Sequence, residues 1–205
     1  MNWQLNKIQY PVYNLGEGKR IGIWVQGCTL ECKGCVNKTL WSSKGGKSIS
    51  VLDVFNWVAS IQNDFDGITV SGGEPFQQYE RLISFLHLVK TKTNLTVHCF
   101  SGYYLNELQE KFPDKLFLKY IDCLVDGRYI EDQHENTNVK GSTNQSVFRI
   151  IDEVPVKQKK TSASKKWSVN ISNDNRIYMS GVPKKNELKE LCNELSEVGI
   201  KKTFR

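Results

Sequence analysis

The stretch that decides the organisation of this chain is QGCTLECKGCVN, residues 26–37. Three of the six cysteines fall inside it, with the spacing C-x-x-x-C-x-x-C. One short loop can direct three thiolates at a single metal centre, and thiolates are the usual protein ligands of structural zinc and of iron–sulfur clusters. The spacing therefore predicts a metal site formed by Cys28, Cys32 and Cys35.

The odd number of cysteines leaves two interpretations open. Closed zinc sites and fully ligated iron–sulfur clusters normally take four protein ligands. Three cysteines on a cubane of four irons leave one iron without a protein ligand, as catalytic zinc sites leave one position for a reactant. The alternative is a structural zinc knuckle completed by a distant side chain. Candidates for that fourth ligand are Cys99, His98, Cys123 and Cys192.

Composition narrows the class of protein. The 205 residues are 39% hydrophobic and 24% charged, which is typical of a soluble globular chain. No run approaches the ~18 apolar residues of a membrane span. The cysteines are sparse and no apolar leader is seen, so we expect the protein in the cytoplasm rather than in an oxidising compartment. Much of the net charge of +6 comes from lysines between 157 and 166. Aromatic residues are not interleaved there, so we interpret this stretch as a solvated linker and expect no nucleic-acid binding.

The hydrophobic pattern predicts alternating strands and helices, whereas residues 1–20 are polar with scattered aromatics. A capping box over 50–53 opens the first predicted helix. The predicted strands cover 21–25, 68–70, 95–100, 120–125 and 147–151, and the later helices cover 78–90 and 105–112. This rhythm is typical of β-α-β units, which form a parallel sheet.

Four polar or glycine-rich segments follow predicted strands directly. They are the cysteine loop, Gly72-Gly73-Glu74-Pro75, Ser101-Gly102 and Asp126-Gly127. The carboxyl ends of parallel strands meet at one edge, where such folds carry their chemistry. We therefore expect all four segments on one rim of the sheet.

The last fifty residues follow another pattern. Segments 167–171 and 176–179 alternate around Asn173-Asp174-Asn175, which indicates a hairpin. A helix is predicted after Pro183 and is expected to end at Gly199. Its predicted inner face consists of Leu188, Leu191, Cys192 and Leu195. The chain is thus divided into a core, residues 1–155, and an appendage, residues 156–205, with a lysine-rich linker and a β-β-α unit.

Two motifs together resemble a known family. The three-cysteine loop after one strand and Gly72-Gly73-Glu74-Pro75 after the next resemble the radical S-adenosylmethionine enzymes. Further segments, at 25–28, 32–37, 40–41, 124–127 and 141–145, are similar to the activating enzymes of anaerobic ribonucleotide reductases. The resemblance covers about residues 10–151, so the appendage lies outside it.

The resemblance implies a fold and a set of ligands. The fold is α/β, a partial (βα)6 barrel of the radical S-adenosylmethionine type with the small appendage. Cys28, Cys32 and Cys35 would hold a [4Fe–4S] cluster, and the methionine part of S-adenosylmethionine would chelate the fourth iron. The expected cofactor-binding residues are Gly72, Gly73, Glu74, Pro75, Ser101 and Asn144, the last two for ribose or adenine.

The resemblance also implies the chemistry. The reduced cluster passes one electron to the sulfonium, which yields methionine and a 5′-deoxyadenosyl radical. In activating enzymes that radical takes a hydrogen atom from a glycine of a partner such as an anaerobic ribonucleotide reductase. No side chain is expected to act as a catalytic group, and a flavodoxin- or ferredoxin-type electron donor is implied.

Two residues and two alternatives qualify this interpretation. Gly34 replaces the aromatic residue of many radical enzymes, but the reductase activators often have glycine there, so it favours that subgroup. Arg128 stands where many activating enzymes have proline, which weakens the match. A 7-carboxy-7-deazaguanine synthase-like enzyme is one alternative, since such enzymes share Gly16-Glu17-Gly18, but Val36-Asn37 departs from their usual Asp-Ser or Asp-Thr. A structural zinc or iron–sulfur binding protein is the alternative from another class.

Overall fold

The computed structural model describes residues 1–135, 139–159, 167–171, 177–181 and 185–197. Within these ranges the chain is an α/β protein with one eight-stranded mixed sheet. The strands run in the order β3-β1-β2-β4-β5-β6-β7-β8. Their bounds are β1 Asn2–Val12, β2 Arg20–Val25, β3 Lys47–Ser50, β4 Gly67–Gly72, β5 Thr96–Phe100, β6 Cys123–Asp126, β7 Ser146–Ile151 and β8 Val154–Lys157. The helices of the same region are α1 Val51–Ile61, α2 Tyr79–Lys92, α3 Leu105–Lys111 and α4 Leu116–Tyr120.

The centre of the sheet is parallel, as the β-α rhythm predicts. β2 pairs with β4, β4 with β5 and β5 with β6, all in parallel register. The flanking strands β1, β3, β7 and β8 are antiparallel to their neighbours. These pairings establish a mixed α/β sheet, and its closure into a partial (βα)6 barrel stays a prediction.

Strand β2 separates two apolar layers. Ile23, Val70 and Val97 pack with the buried residues of α1 and α2 in the main core. On the opposite side Trp24 packs with Val12, Leu15 and Leu40 in a second cluster. A strand buried on both faces reads as a continuous apolar run, which is why these strands are visible in the sequence.

One strand is not predicted, and two local predictions are wrong. Residues 2–12 form a strand in which Trp3 and Leu5 are buried, but shifts in register break the alternation that would reveal it. The first residue of the strand predicted at 120–125 ends α4 instead, with Tyr120 packed in the main core. Ser50 makes no side-chain capping bond to α1. It pairs with Asn2 in the sheet instead.

The appendage contains the predicted hairpin and helix. β9 (Trp167–Ile171) pairs antiparallel with β10 (Ile177–Gly181), and α5 spans Lys185–Glu197. Ser180 Oγ donates a 3.0 Å hydrogen bond to Asn14 Oδ1, which ties β10 to the core. Cys192 is partly exposed rather than fully buried.

Some features of this region stay predictions. The expected division after residue 155 falls inside β8, which pairs with β7. The turn at 173–175, Pro183, Gly199 and most of the lysine-rich linker lie outside the described residues. Among the helices of the described ranges, none is both long and apolar enough to span a bilayer.

Candidate metal centre

The cysteine loop leaves the carboxyl end of β2 and is tied back at its base. Gly27 N donates to Leu40 O at 2.8 Å, and Cys28 N donates to Trp41 O at 3.0 Å. Cys35 N donates to Cys32 O at 3.0 Å, which closes the turn between the last two cysteines. Backbone hydrogen bonds therefore hold the base of the loop in place. All three cysteines on the loop are free thiols and are partly exposed.

The side chain of Gln26 makes further hydrogen bonds at the base of the loop. Its Nε2 donates to Thr39 O at 3.0 Å and to Ser42 O at 2.6 Å, and its Oε1 accepts from Asn6 Nδ2 at 2.9 Å. Gln26 is 3% exposed, so these bonds satisfy a buried amide. In the sequence Gln26 is only part of a motif, and no local pattern reveals these partners.

The thiols of Cys28 and Cys32 are surrounded by donors. Burial raises both pKa values, but backbone N–H groups of Leu30 and Glu31 favour the Cys28 thiolate. The N–H of Tyr129 and the charge of Arg128 favour the Cys32 thiolate in the same way. N–H groups directed at sulfur are among the features by which proteins stabilise and tune iron–sulfur clusters. The donor set therefore fits an anionic, thiolate-bound cluster.

The Asp126–Glu131 segment packs against the loop from the far side. Gly34 has a φ of +75°, and a Cβ added to it would lie 2.8 Å from Cδ of Glu131. The positive φ strains any larger residue, and a Cβ would also require the Glu131 side chain to move. Glycine at this position fits both features.

The Gly72-Gly73-Glu74-Pro75 turn lies directly against the base of the loop. Gly73 N donates to Val25 O at 2.8 Å, and Glu74 N donates to Gly27 O at 2.9 Å. A Cβ on Gly73 would lie 2.2 Å from Gly27 O. The two motifs of the resemblance therefore meet through backbone contact, one residue before Cys28.

Glu74 is buried in a polar network of its own. It is 1% exposed and accepts from Phe76 N at 3.0 Å, Ser101 Oγ at 3.0 Å and Gly102 N at 2.7 Å. Burial raises its pKa to about 7. Ser101 Oγ also accepts from Tyr103 N at 3.0 Å. Both predicted cofactor contacts are thus engaged with each other, which joins the ends of β4 and β5.

Asn144 retains an unused acceptor. Its Nδ2 donates to Arg128 O at 2.8 Å and to Tyr104 OH at 3.2 Å, whereas its buried Oδ1 has no hydrogen-bond partner. A buried acceptor without a partner costs roughly 1–3 kcal/mol. A ligand hydroxyl or amino group would satisfy it, so Asn144 fits the predicted ribose or adenine contact. Pro75 is buried and starts the short 3-10 helix Pro75–Gln78.

The residues that the structure describes supply no closed site for a single ion. Nowhere in the described ranges do three or more His, Cys, Asp or Glu side chains form a group that could hold a metal ion. A cubane distributes its thiolates over separate irons and does not require them to converge on one ion. Two of the four candidates for a fourth zinc ligand lie in β5, where Cys99 is part of the main core. Burial lowers the pKa of the other, His98, to about 3.

Comparison with known proteins gives a consistent result. Residues 14–148 match the family described as 4Fe-4S single cluster domain. Anaerobic ribonucleoside-triphosphate reductase-activating protein of Haemophilus influenzae is 34% identical over 156 residues, which cover 71% of this chain and 99% of that protein. The protein of the same name from Vibrio cholerae is 30% identical over 149 residues, covering 69% and 95%. That from Enterobacteria phage T4 is 26% identical over 143 residues, covering 68% and 89%.

Proposed function

Because this chain belongs to the family of anaerobic ribonucleoside-triphosphate reductase-activating proteins, with their 4Fe-4S single cluster domain, we propose that it generates a glycyl radical on such a reductase. In this proposal it is a radical S-adenosylmethionine enzyme. Cys28, Cys32 and Cys35 hold a [4Fe–4S] cluster, and the neighbouring turn holds S-adenosylmethionine.

One observation carries the proposal. The cysteine loop and the Gly72–Pro75 turn are joined by the bond from Glu74 N to Gly27 O, 2.9 Å long. A cofactor held by that turn is therefore next to the residue that precedes Cys28. A purely structural metal site has no need of a glycine turn pressed against its base.

The residues of the chain have separable tasks. The three cysteines bind the cluster as thiolates, and the N–H groups of Leu30, Glu31 and Tyr129 stabilise the negative charge on sulfur. When bound, the cluster and S-adenosylmethionine supply one-electron reduction and cleavage of a carbon–sulfur bond, which yields a 5′-deoxyadenosyl radical. The task of the protein is to orient the sulfonium and exclude water.

The cofactor-binding residues divide into two groups. The missing Cβ atoms of Gly72 and Gly73 let the turn pack on the backbone of Val25 and Gly27. In this proposal the same backbone binds the methionine part, and Asn144 Oδ1 accepts from the ribose or adenine. Glu74 and Ser101 act through their bonds to each other and to Gly102, so they position the rim rather than contact the cofactor. This assigns Glu74 and Ser101 a different role from the direct contact expected from the resemblance.

The partners follow from the proposed reaction. The hydrogen donor is a glycine of an anaerobic ribonucleoside-triphosphate reductase, whose loop must reach the open rim. Reductive cleavage needs a cluster at the low end of the iron–sulfur potentials, which span about −700 to +450 mV. A flavodoxin- or ferredoxin-type donor in the cytoplasm provides such electrons. The matched relatives are reductase-activating proteins by name, which favours this reaction over that of a deazapurine synthase.

The test is radical transfer to the partner. The reconstituted protein is mixed anaerobically with S-adenosylmethionine, a reductant and an anaerobic ribonucleoside-triphosphate reductase, and electron paramagnetic resonance is recorded. We expect a glycyl-radical doublet that is absent with Cys32→Ala and absent when the partner's radical glycine is replaced by alanine. Cofactor cleavage without any doublet on the reductase would reject the assigned partner.

A further inference from the structure

Arg128 departs from the activating-enzyme pattern and is held rigidly beside the candidate metal centre. Its Nη1 and Nη2 donate to the two carboxylate oxygens of Glu107 at 2.9 and 3.1 Å. The guanidinium carbon lies 5.8 Å from the ring centroid of Tyr103 and 5.9 Å from that of Tyr104. The bidentate ion pair and the two neighbouring rings hold the guanidinium in place. They also restrain the backbone at Arg128.

The backbone at Arg128 forms one wall of the cysteine loop. Arg128 O accepts from Asn144 Nδ2 at 2.8 Å, and the next peptide presents the Tyr129 N–H to the Cys32 thiol. Two residues further on, the Glu131 side chain fills the space above Gly34. A displacement of Arg128 therefore changes the hydrogen bonding of a candidate cluster ligand.

The charge of Arg128 acts at the same point. Its guanidinium interacts electrostatically with Cys32, and Glu107 carries the compensating negative charge. The side chains of Arg128 and Glu107 are 37% and 32% exposed, so solvent screens them only in part. The Arg128–Glu107 ion pair thus places one positive and one negative charge near the Cys32 thiolate.

We propose that Arg128 and Glu107 form a positioning pair that sets the reduction potential of the cluster. Net charge near a cluster and hydrogen bonds to its sulfurs are two of the features that determine this potential. A positive charge favours the form that has gained one electron, and a negative charge opposes it. The inference rests on the cluster assigned in the proposed function.

The two charges predict shifts of opposite sign. One electron from a mediator dye reduces the cluster, and no covalent bond of the protein changes. Arg128→Gln leaves Glu107 uncompensated, so the midpoint potential shifts to a more negative value. Glu107→Gln leaves Arg128 uncompensated, so the potential shifts to a less negative value. The double variant restores the net charge and lies between the two single variants.

A second ion pair provides a matched control. Lys90 Nζ lies 2.8 Å from Asp122 Oδ1, and these side chains are 30% and 37% exposed. Asp122 precedes β6, at the amino end of that strand, whereas Arg128 follows its carboxyl end. Lys90→Gln removes the same charge from a pair of similar exposure at the opposite end of the strand. It is expected to leave the potential unchanged.

The experiment is a redox titration of the reconstituted full chain without S-adenosylmethionine, followed by electron paramagnetic resonance at low ionic strength. Iron and sulfide contents establish that each variant carries a cluster, and Arg128→Lys, which keeps the charge, is expected to stay near the wild-type potential. Where Arg128→Gln assembles no cluster, Glu107→Gln carries the test, and a potential that is not less negative than wild type would overturn the inference. Opposite shifts for the two single variants, with Lys90→Gln unchanged, support the inference. Equal potentials, or shifts of the same sign, would overturn it while leaving the proposed function intact. A wild-type chain that assembles no [4Fe–4S] cluster would overturn both.

Discussion

The two ends of the parallel strands treat buried polar groups differently. At the amino ends Arg20 crosses beneath β4 to β5, and at the carboxyl ends lie the cysteine loop and the Gly72–Pro75 turn. Both ends place charged or titratable groups in the protein interior. They differ in that the Arg20 guanidinium at one end is fully hydrogen-bonded, whereas Asn144 Oδ1 at the other end has no hydrogen-bond partner.

The Arg20 network is complete. Arg20 is 1% exposed, and its guanidinium donates to Thr69 Oγ1 at 2.7 Å, Glu17 O at 2.9 Å, Thr96 Oγ1 at 2.9 Å, Thr96 O at 2.9 Å and Ile68 O. These are five acceptors for five N–H groups. Burial lowers its pKa to about 10, so it stays charged at neutral pH.

At the carboxyl ends of the strands, not every polar group has a hydrogen-bond partner. Asn144 Oδ1 has no partner, and the three cysteines remain free thiols. Networks that satisfy every group stabilise a fold, whereas groups left unpaired at strand ends are available to a ligand. The Arg20 network stabilises the amino ends, and we propose that the unpaired groups at the carboxyl ends serve binding.

The largest effect should come from removing one loop cysteine. Cys32→Ala is expected to abolish cluster assembly, because two thiolates cannot hold the cluster that three hold. Iron and sulfide per chain after anaerobic reconstitution measure this. Cys192→Ala is the control and should retain full iron, since α5 lies outside the loop. A Cys32→Ala protein with a complete cluster would contradict the division between the two ends.

The next largest effect is expected from replacing Arg20 at the amino ends of the parallel strands. Arg20→Met leaves several buried acceptors without a donor, so the free energy of unfolding should fall by about 3–5 kcal/mol. Denaturant unfolding measures this. Lys90→Met, which breaks a half-exposed ion pair, should cost about 1 kcal/mol or less. A small loss for Arg20→Met would mean that the buried network contributes little to stability.

A smaller effect is expected at the turn between the motifs. The sequence alone predicts that a β-branched residue at position 73 weakens cofactor binding without loss of iron. The structure revises this, because a Cβ there would lie 2.2 Å from Gly27 O at the base of the cysteine loop. We expect Gly73→Val to lower both iron content and the affinity for S-adenosylmethionine, the latter about tenfold, or ~1.4 kcal/mol.

The control for Gly73→Val is Gly141→Ala. Its Cβ would meet the Tyr129 ring at 3.2 Å, a side chain that can shift. Iron analysis and equilibrium binding of S-adenosylmethionine separate the outcomes. Full iron content in Gly73→Val with weakened binding would restore the expectation drawn from the sequence.

The smallest expected effect is the contribution of His98 to the pH dependence of the free energy of unfolding. Burial and the charges of Arg20 and Arg149 lower its pKa from 6.5 to about 3, so the folded protein keeps the imidazole neutral. The unfolded chain takes up a proton below pH 6.5, and stability therefore falls as pH decreases through this window. Between pH 6.5 and 5.5 this one group should cost roughly 1 kcal/mol.

Replacing the imidazole tests this contribution. His98→Gln should reduce the loss of unfolding free energy between pH 7.5 and 5.5 relative to the wild-type protein. Denaturant titrations at the two pH values give the difference. An unchanged pH dependence would mean that His98 is already protonated or solvated in the folded state.

The sequence predicts the parallel strands and the position of the four strand-end segments, because apolar runs and glycine turns are local patterns. The strand at residues 2–12 is missed, because register shifts hide the alternation around Leu5 and Lys7. The contacts of Gln26, the packing of Glu131 on Gly34 and the Arg128–Glu107 pair are also missed. Each depends on side chains that are distant in sequence and meet only in the folded sheet.

The most direct test of the central claim is cofactor cleavage by the reconstituted protein. The chain is purified without oxygen, supplied with iron and sulfide, reduced and mixed with S-adenosylmethionine. Iron, zinc and 5′-deoxyadenosine are then measured together. Our account predicts about four irons per chain, as a [4Fe–4S] cluster requires, with 5′-deoxyadenosine formed. One zinc per chain, no iron and no cleavage would contradict it.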